Sequence, residues 1–327
     1  MNHFLLKSGL KLGIQRFGVG QPKKILLIHG WLDNSNSFKI LAPKLAEIGY
    51  ESTAIDLLGH GHSDHAPITS NSHFSQMCVH IKEVVDSIIE NNNNEKISIV
   101  GHSMGGAVAL MMAAAYPELI NKLVMIESVG MVTKPAEDVV KTLRKGIKDI
   151  EKFDTTREPR KVSMETAVQA RVNAVKSYPG EQWITKDAAY ELVKRGTITH
   201  DKNENDDSSS TVSFRYDRRL MHTSLVYFTP EQLNTFFDNL ETQVLVILAD
   251  HGWPFSRTQY EKNRHILEKK KLLTQIRLPG SHHLHLDKDT ADATADAVSA
   301  FLKHGKNMVI PSFQTSIPPP PPGAAAL

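Results

Sequence analysis

The stretch Ile97-Ser-Ile-Val-Gly101-His102-Ser103-Met104-Gly105-Gly106, continuing as AVALMMAAA to Ala115, decides how this chain folds. Ile97, Ile99 and Val100 are β-branched and apolar, which suits a buried strand. The alanine- and methionine-rich run suits a helix. Between the two, glycines bracket a serine with one residue on either side. A strand that turns at once into a helix lifts the intervening side chain above the strand end, and crowding at such a turn demands glycine around it. The helix N-terminus beneath the hydroxyl favours a developing negative charge. Gly-x-Ser-x-Gly alone is a weak signal. Its flanks give it weight, and Ser103 is expected to be a nucleophile rather than a simple helix cap.

The same rhythm extends outward on both sides. Toward the N-terminus lie the apolar run Lys24-Ile28, a helical stripe of Phe38, Leu41, Leu45 and Ile48, the run Glu51-Ile55, and a second stripe of Met77, Ile81, Val84 and Ile88. Leu123-Ile126 follows the serine segment. Short apolar runs alternating with helical patterns predict a parallel sheet covered by helices on both faces. The runs lack polar alternation, as strands buried on both sides should. Phe4-Lys7 and Leu10-Phe17 are expected as an antiparallel hairpin at the sheet edge.

After Glu127 helical periodicity takes over, with stripes at Val139, Leu143, Ile147 and Ile150 and at Val168, Val172 and Val175. The polar stretch Asn203-Ser210 reads as an exposed loop. Thr229-Pro-Glu-Gln232 is a strong helix start, with Thr as N-cap, Pro at the first helical position and Gln at the third. Strand-helix order resumes with Val244-Leu248, Thr274-Leu278 and a last helix over Thr290-Lys303 that ends near Gly305. The expected organisation is a core over 1–127, a mostly helical cap inserted over 128–238, the second part of the core over 239–305, and a disordered proline-rich tail over 306–327. Five consecutive prolines in that tail favour polyproline II.

Composition narrows the function classes. The 327 residues are 40% hydrophobic and 23% charged, an ordinary globular balance. A formal net charge of +2 makes no case for nucleic acid or an anionic membrane as the main partner. Cys78, the single cysteine, admits no internal disulfide and reads as a buried structural thiol. Met1-Phe17 lacks the apolar core of a secretory signal, and no apolar run approaches the roughly 20 residues of a membrane span. A cytoplasmic location is expected; the terminal Ala-Ala-Leu lacks the basic residue of a strong peroxisomal address.

Three further segments carry chemistry. His29-Gly30-Trp31 directly follows a strand, so the backbone N–H groups of Trp31 and Met104 are the expected oxyanion-hole donors. Ser281-His282-His283-Leu-His285-Leu-Asp287, after a late strand, offers three imidazoles as the base that a serine nucleophile needs. A metal site there lacks a supporting carboxylate or cysteine cluster of matching spacing. Asp56-Leu-Leu-Gly-His-Gly-His-Ser63 reads as a tight structural loop near the pocket.

Together these marks resemble the α/β-hydrolase superfamily over roughly Phe4 to Phe301. Within it the chain resembles the serine hydrolase-like proteins, through His29-Gly-Trp-Leu-Asp-Asn34, Tyr216-Asp-Arg-Arg-Leu220 and His251-Gly-Trp253. The resemblance implies an eight-stranded, mostly parallel sheet with a cap, and it puts the base at His282, with His283 out of register. The family's usual acid follows the penultimate strand in a Gly-x-x-Asp loop, which here reads Ala249-Asp250-His251-Gly252. Asp250 is two residues early. Relatives that take the acid from the end of the sixth strand have it in the register of Glu127. Glu127 and Asp250 both remain candidates. The expected function is a serine hydrolase acting on a small-molecule carboxylic ester, thioesters and lipid esters included, without metal or cofactor. The alternative is a ligand-binding or receptor-like protein on the same scaffold. A dehalogenase or epoxide hydrolase would need a carboxylate where Ser103 stands.

Overall fold

Strands apolar on both faces need covering on both sides, and the middle of the fold is built that way. The structure is a computed structural model that describes residues 2–67, 74–154, 156–200 and 210–309. The first half of the core consists of β1 (Asn2–Leu5), β2 (Lys11–Phe17), β3 (Lys23–Ile28), α1 (Leu41–Glu47), β4 (Tyr50–Ile55), α2 (Gln76–Glu90), β5 (Ile97–His102), α3 (Met104–Ala115) and β6 (Ile120–Ile126). The inserted segment contributes α4 (Val139–Glu151), α5 (Met164–Lys176), α6 (Lys186–Arg195), β7 (Thr197–His200) and β8 (Thr211–Phe214). Then follow α7 (Pro230–Asp238), β9 (Gln243–His251), α8 (Arg257–Lys269), β10 (Leu273–Ser281) and α9 (Lys288–His304).

The eight core strands form one sheet in the order β1-β2-β4-β3-β5-β6-β9-β10. It is antiparallel at β1–β2 and β2–β4 and parallel elsewhere. Alternate residues of β3 divide between two cores. Leu26 and Ile28 join the side covered by α2, α3, α7 and α8, while Ile25 and Leu27 join the side covered by α1 and α9. The C-terminal ends of β3, β5, β6 and β9 thus lie side by side, and the loops leaving them carry the candidate residues. Cys78, on the α2 stripe, packs partly buried against the first core, and burial pushes its thiol up to about 11.

The inserted segment also contains a small antiparallel pair, β7–β8, and its last stretch before residue 238 lies against the core. Leu233 and Phe237 of α7 are buried in the same cluster as Leu110 and Val244, so that helix packs on the sheet. The hydrophobic stripe beyond the Thr229 cap is a core stripe. The stretch 201–209, including most of the expected exposed loop, and the proline-rich tail from 310 onward lie outside the described residues.

The cap core gathers α5, α6 and Val212 around Leu286 of the late histidine loop. A buried charge ties cap to sheet. Asp56, fully buried at the end of β4, accepts from the N–H groups of Ser35 (2.7 Å) and His62 (2.8 Å) and pairs with Arg195 of α6 at 2.7 Å. Burial works against its ionisation, but Arg195 outweighs it and the pKa lies below the usual value. This stabilisation is therefore complete at neutral pH and fades as pH falls below the ordinary carboxylate range. Asp217 N–H also donates to Gly59 O at 2.8 Å, so the Tyr216-Leu220 segment braces the same loop. Arg195→Ala leaves Asp56 without its cation and is expected to cost about 3 kcal/mol, the lower end for a broken buried pair because two N–H donors remain; thermal or urea unfolding at pH 7 measures it.

Candidate active site

The turn between β5 and α3 is as sharp as its glycines require. Ser103 sits at φ 50°, ψ −118°, a conformation that costs an L-residue of order 1–3 kcal/mol. Its N–H donates to Ile126 O at 2.9 Å, anchoring the turn to the end of β6. A Cβ on Gly101 would overlap Gly105 O, and one on Gly105 would overlap Ile28 O. Strand, helix and neighbouring strand therefore meet around the serine with no space for side chains at those two positions.

Two more loops converge on it. His282 Nε2 lies 2.9 Å from Ser103 Oγ, and His282 Nδ1 lies 3.0 Å from Glu127 Oε2. Glu127, buried just past β6 and also at positive φ (49°), accepts from Ala249 N–H through Oε1 at 2.7 Å and from Trp253 N–H through Oε2 at 2.8 Å. Asp250 points elsewhere: it is exposed and makes no hydrogen bond or ion pair with a described residue. Glycine at 252 explains the exchange, because a Cβ there would overlap the Glu127 carboxylate. Glycine thus stands at the conventional acid position, and the space beside it holds the Glu127 carboxylate from the neighbouring strand.

Burial lowers the pKa of His282, although its hydrogen bond to the Glu127 carboxylate works in the opposite direction. The cap holds its backbone: Gln182 Oε1 accepts from His282 N–H at 3.0 Å, Gln182 Nε2 donates to Gly252 O at 2.7 Å, and Ser281 Oγ donates to Trp183 O. The rings of Tyr178 and Trp253 lie 6.4 and 5.5 Å from the His282 ring, giving the base an aromatic flank. The N–H groups of Trp31 and Met104 have no acceptor among the described residues, and both adjoin the strand ends that meet at Ser103.

The remaining histidines have other partners. His285 Nε2 is 2.6 Å from Ser37 Oγ, and Asp287 Oδ1 accepts from Thr185 N–H (2.9 Å) and Oγ1 (2.7 Å). His29 Nε2 accepts from Leu57 N–H at 3.0 Å, which joins the loops after β3 and β4. His283 Nε2 lies 3.4 Å from Asp33 Oδ2, and burial brings its pKa down to about 3. Asp33 is also paired with Arg171 of α5 and stands 3.4 Å from His102 Nδ1, while His102 Nε2 donates to His282 O at 2.9 Å. Although burial opposes it, His283 and Arg171 hold Asp33 well below the usual carboxylate range. One buried group thus links the loop of Trp31, the serine turn, the histidine loop and the cap. The sequence reading missed the pairing of Asp33 with Arg171 because a separation of 138 positions carries no spacing signal. Among the described residues no three His, Cys, Asp or Glu side chains converge as a metal ion would need.

Comparison with known proteins agrees with this architecture. The family model described as alpha/beta hydrolase fold matches residues 23–289. A serine hydrolase-like protein of Dictyostelium discoideum is 29% identical over 293 residues, covering 87% of this chain and 77% of that protein. Serine hydrolase-like protein 2 of Homo sapiens is 26% identical over 317 residues, covering 91% and 95%. Among solved structures, a hypothetical protein from Pseudomonas aeruginosa is 31% identical with a TM-score of 0.76, covering 92% of this chain and 99% of that one. The thioesterase domain from the curacin biosynthetic pathway shares the fold with a TM-score of 0.72 at 21% identity, covering 91% and 98%.

The contact between Gly252 and Glu127 yields a sharp expectation. Gly252→Ala must displace the carboxylate from His282 while leaving Ser103 and the sheet untouched. Hydrolysis of a p-nitrophenyl ester should fall by at least about tenfold, the scale of misplacing a catalytic group by a fraction of an ångström to 1 Å, with little change in melting temperature.

Proposed function

This chain belongs to the α/β-hydrolase fold family, and from that premise we propose that it is a serine hydrolase that cleaves carboxylic esters, thioesters and lipid esters included, through an acyl-enzyme on Ser103. The observation that carries the reading is the unbroken line from Ser103 Oγ through His282 to the Glu127 carboxylate, at 2.9 and 3.0 Å. As Oγ attacks the ester carbonyl, His282 Nε2 takes its proton. Glu127 accepts from Nδ1–H, which keeps the imidazole in the right tautomer and stabilises the imidazolium. The N–H groups of Trp31 and Met104 meet the oxyanion of the tetrahedral intermediate, donors worth about 3–4 kcal/mol each where measured in other enzymes. His282 then returns the proton to the departing alcohol or thiol, and water releases the acid by the same steps in reverse order. The relatives named serine hydrolase-like support the class of chemistry. The aromatic flank of Tyr178 and Trp253 beside the base suits an apolar acyl group.

Two experiments test the reading. A fluorophosphonate probe should label the wild-type chain and fail to label folded Ser103→Ala. Undiminished labelling of that variant removes Ser103 from the mechanism, and absence of wild-type labelling favours the binding-protein alternative. Glu127→Gln, by analogy with serine-protease triads, should lower kcat by up to roughly 10⁴, whereas Asp250→Asn should change it little.

The pH profile follows from the burial of His282. The base must be neutral to accept the serine proton, and its pKa lies below the ordinary 6.5. kcat/KM should therefore rise with pH on an acid limb whose midpoint lies below 6.5, and a midpoint at or above that value contradicts the assignment.

A further inference from the structure

We propose that the outer face of α4, in the cap, docks onto an anionic lipid surface. A surface helix ordinarily turns its apolar stripe to the core, as α5 does with Val168, Val172 and Val175, all buried. The α4 helix does the reverse. Its buried residues are Thr142 and Gly146. A Cβ on Gly146 would come within 2.8 Å of Leu225 Cδ2 and 2.9 Å of Thr223 O, and Asp149 accepts from Thr223 N–H at 3.0 Å on the same side. Close approach along this small-residue stripe fixes the rotation of the helix. Val139, Val140, Leu143 and Ile147 are left 54, 71, 41 and 44% exposed. Met221 and Val226, at 57 and 65%, extend the apolar surface from the segment that packs along α4.

The charges beside this surface identify its occupant. At about 100° per residue around a helix, the apolar side chains fill one arc and Lys141, Arg144, Lys145, Lys148 and Lys152 fill the next. None of these five makes an ion pair with a described residue. The carboxylates on this stretch are Glu137 and Asp138 at the helix start, Asp149, turned inward to Thr223, and Glu151, so the basic row lies C-terminal to the first two. An apolar arc flanked by basic side chains is the pattern of a helix lying in a membrane interface, apolar residues at the acyl boundary and cations at the anionic headgroups. A second copy of the chain is a poor occupant, because it would bring two basic rows together. The whole-chain charge of +2 hides this local excess, which acts over a screening length of about 8 Å at physiological salt. Among the described residues no helix is long and apolar enough to cross a membrane, so the contact is with a surface.

The test is co-sedimentation of the full chain with vesicles of phosphatidylglycerol and phosphatidylcholine, beside vesicles of phosphatidylcholine alone, at low and high salt. The wild type should pellet with the anionic vesicles at low salt and much less under the other conditions. Leu143→Glu/Ile147→Glu should weaken binding by more than about tenfold, since each side chain loses its apolar burial, with an unchanged melting temperature. Should that variant be destabilised, Lys141→Glu/Lys145→Glu/Lys148→Glu decides instead, and it should abolish the salt-sensitive part. Failure of the wild type to pellet with anionic vesicles, or equal binding by the folded variants, overturns the proposal. So does a wild-type dimer in light scattering that the Leu143→Glu/Ile147→Glu variant converts to monomer, which would assign the face to self-association.

Discussion

A carboxylate removed from water must be met by donors, and Glu127 is met by three: the backbone N–H of Ala249 in β9, that of Trp253 in the loop after it, and the imidazole of His282. Those contacts require the carboxylate to occupy the space beside Gly252, where no Cβ fits. The requirement reaches outward. The β9 loop is held to the cap through Gln182, and Gln182 also holds the backbone of His282. The position of His282 relative to Ser103 therefore depends on Glu127, Gly252 and Gln182, drawn from separate stretches of chain.

A second buried charge continues this logic beneath the site. Asp33 stands two residues past Trp31, whose N–H has no acceptor among the described residues, and its charge is balanced by Arg171 from the inserted segment with His102 and His283 alongside. Breaking a buried pair of this kind is costly because the partner is left uncompensated in a low-dielectric interior. With the Asp56–Arg195 pair, two arginines from neighbouring cap helices each seat on an aspartate in a loop at the strand ends. Charge seated in this way specifies where the cap sits more sharply than apolar contact between the layers would. Neither pair touches the serine, yet both set the loops that carry its partners.

The cap thus has two unlike faces. Its inner side buries polar and aromatic groups against the catalytic loops, while α4 on its outer side exposes an apolar arc beside a basic one. Net charge is a sum over the chain and carries no information about such an arrangement. Here a near-neutral total coexists with a helix five of whose basic side chains make no ion pair with a described residue.

Much of this protein was determined locally and is readable from order alone. The strand, turn and helix around Ser103 follow from β-branched residues, glycines and alanines within twenty positions, because backbone sterics and helix propensity act over such spans. The edge hairpin, the alternation of buried strands with helices and the capping of α7 follow for the same reason. Tertiary structure decided what depends on distant segments meeting. Which carboxylate, Glu127 or Asp250, stands beside His282 turned on whether a glycine in one strand's loop left room for a carboxylate from the next, which periodicity does not record. The stripe Val139, Leu143, Ile147 and Ile150 correctly announced a helix, but which side it turns inward depended on Thr223 and Leu225 approaching Gly146. That Leu233 and Phe237 of α7 pack on the sheet was likewise decided by distant contacts, because the same amphipathic pattern would serve a helix elsewhere equally well. Local energetics specify elements; burial and the pairing of buried charge specify which of their side chains meet.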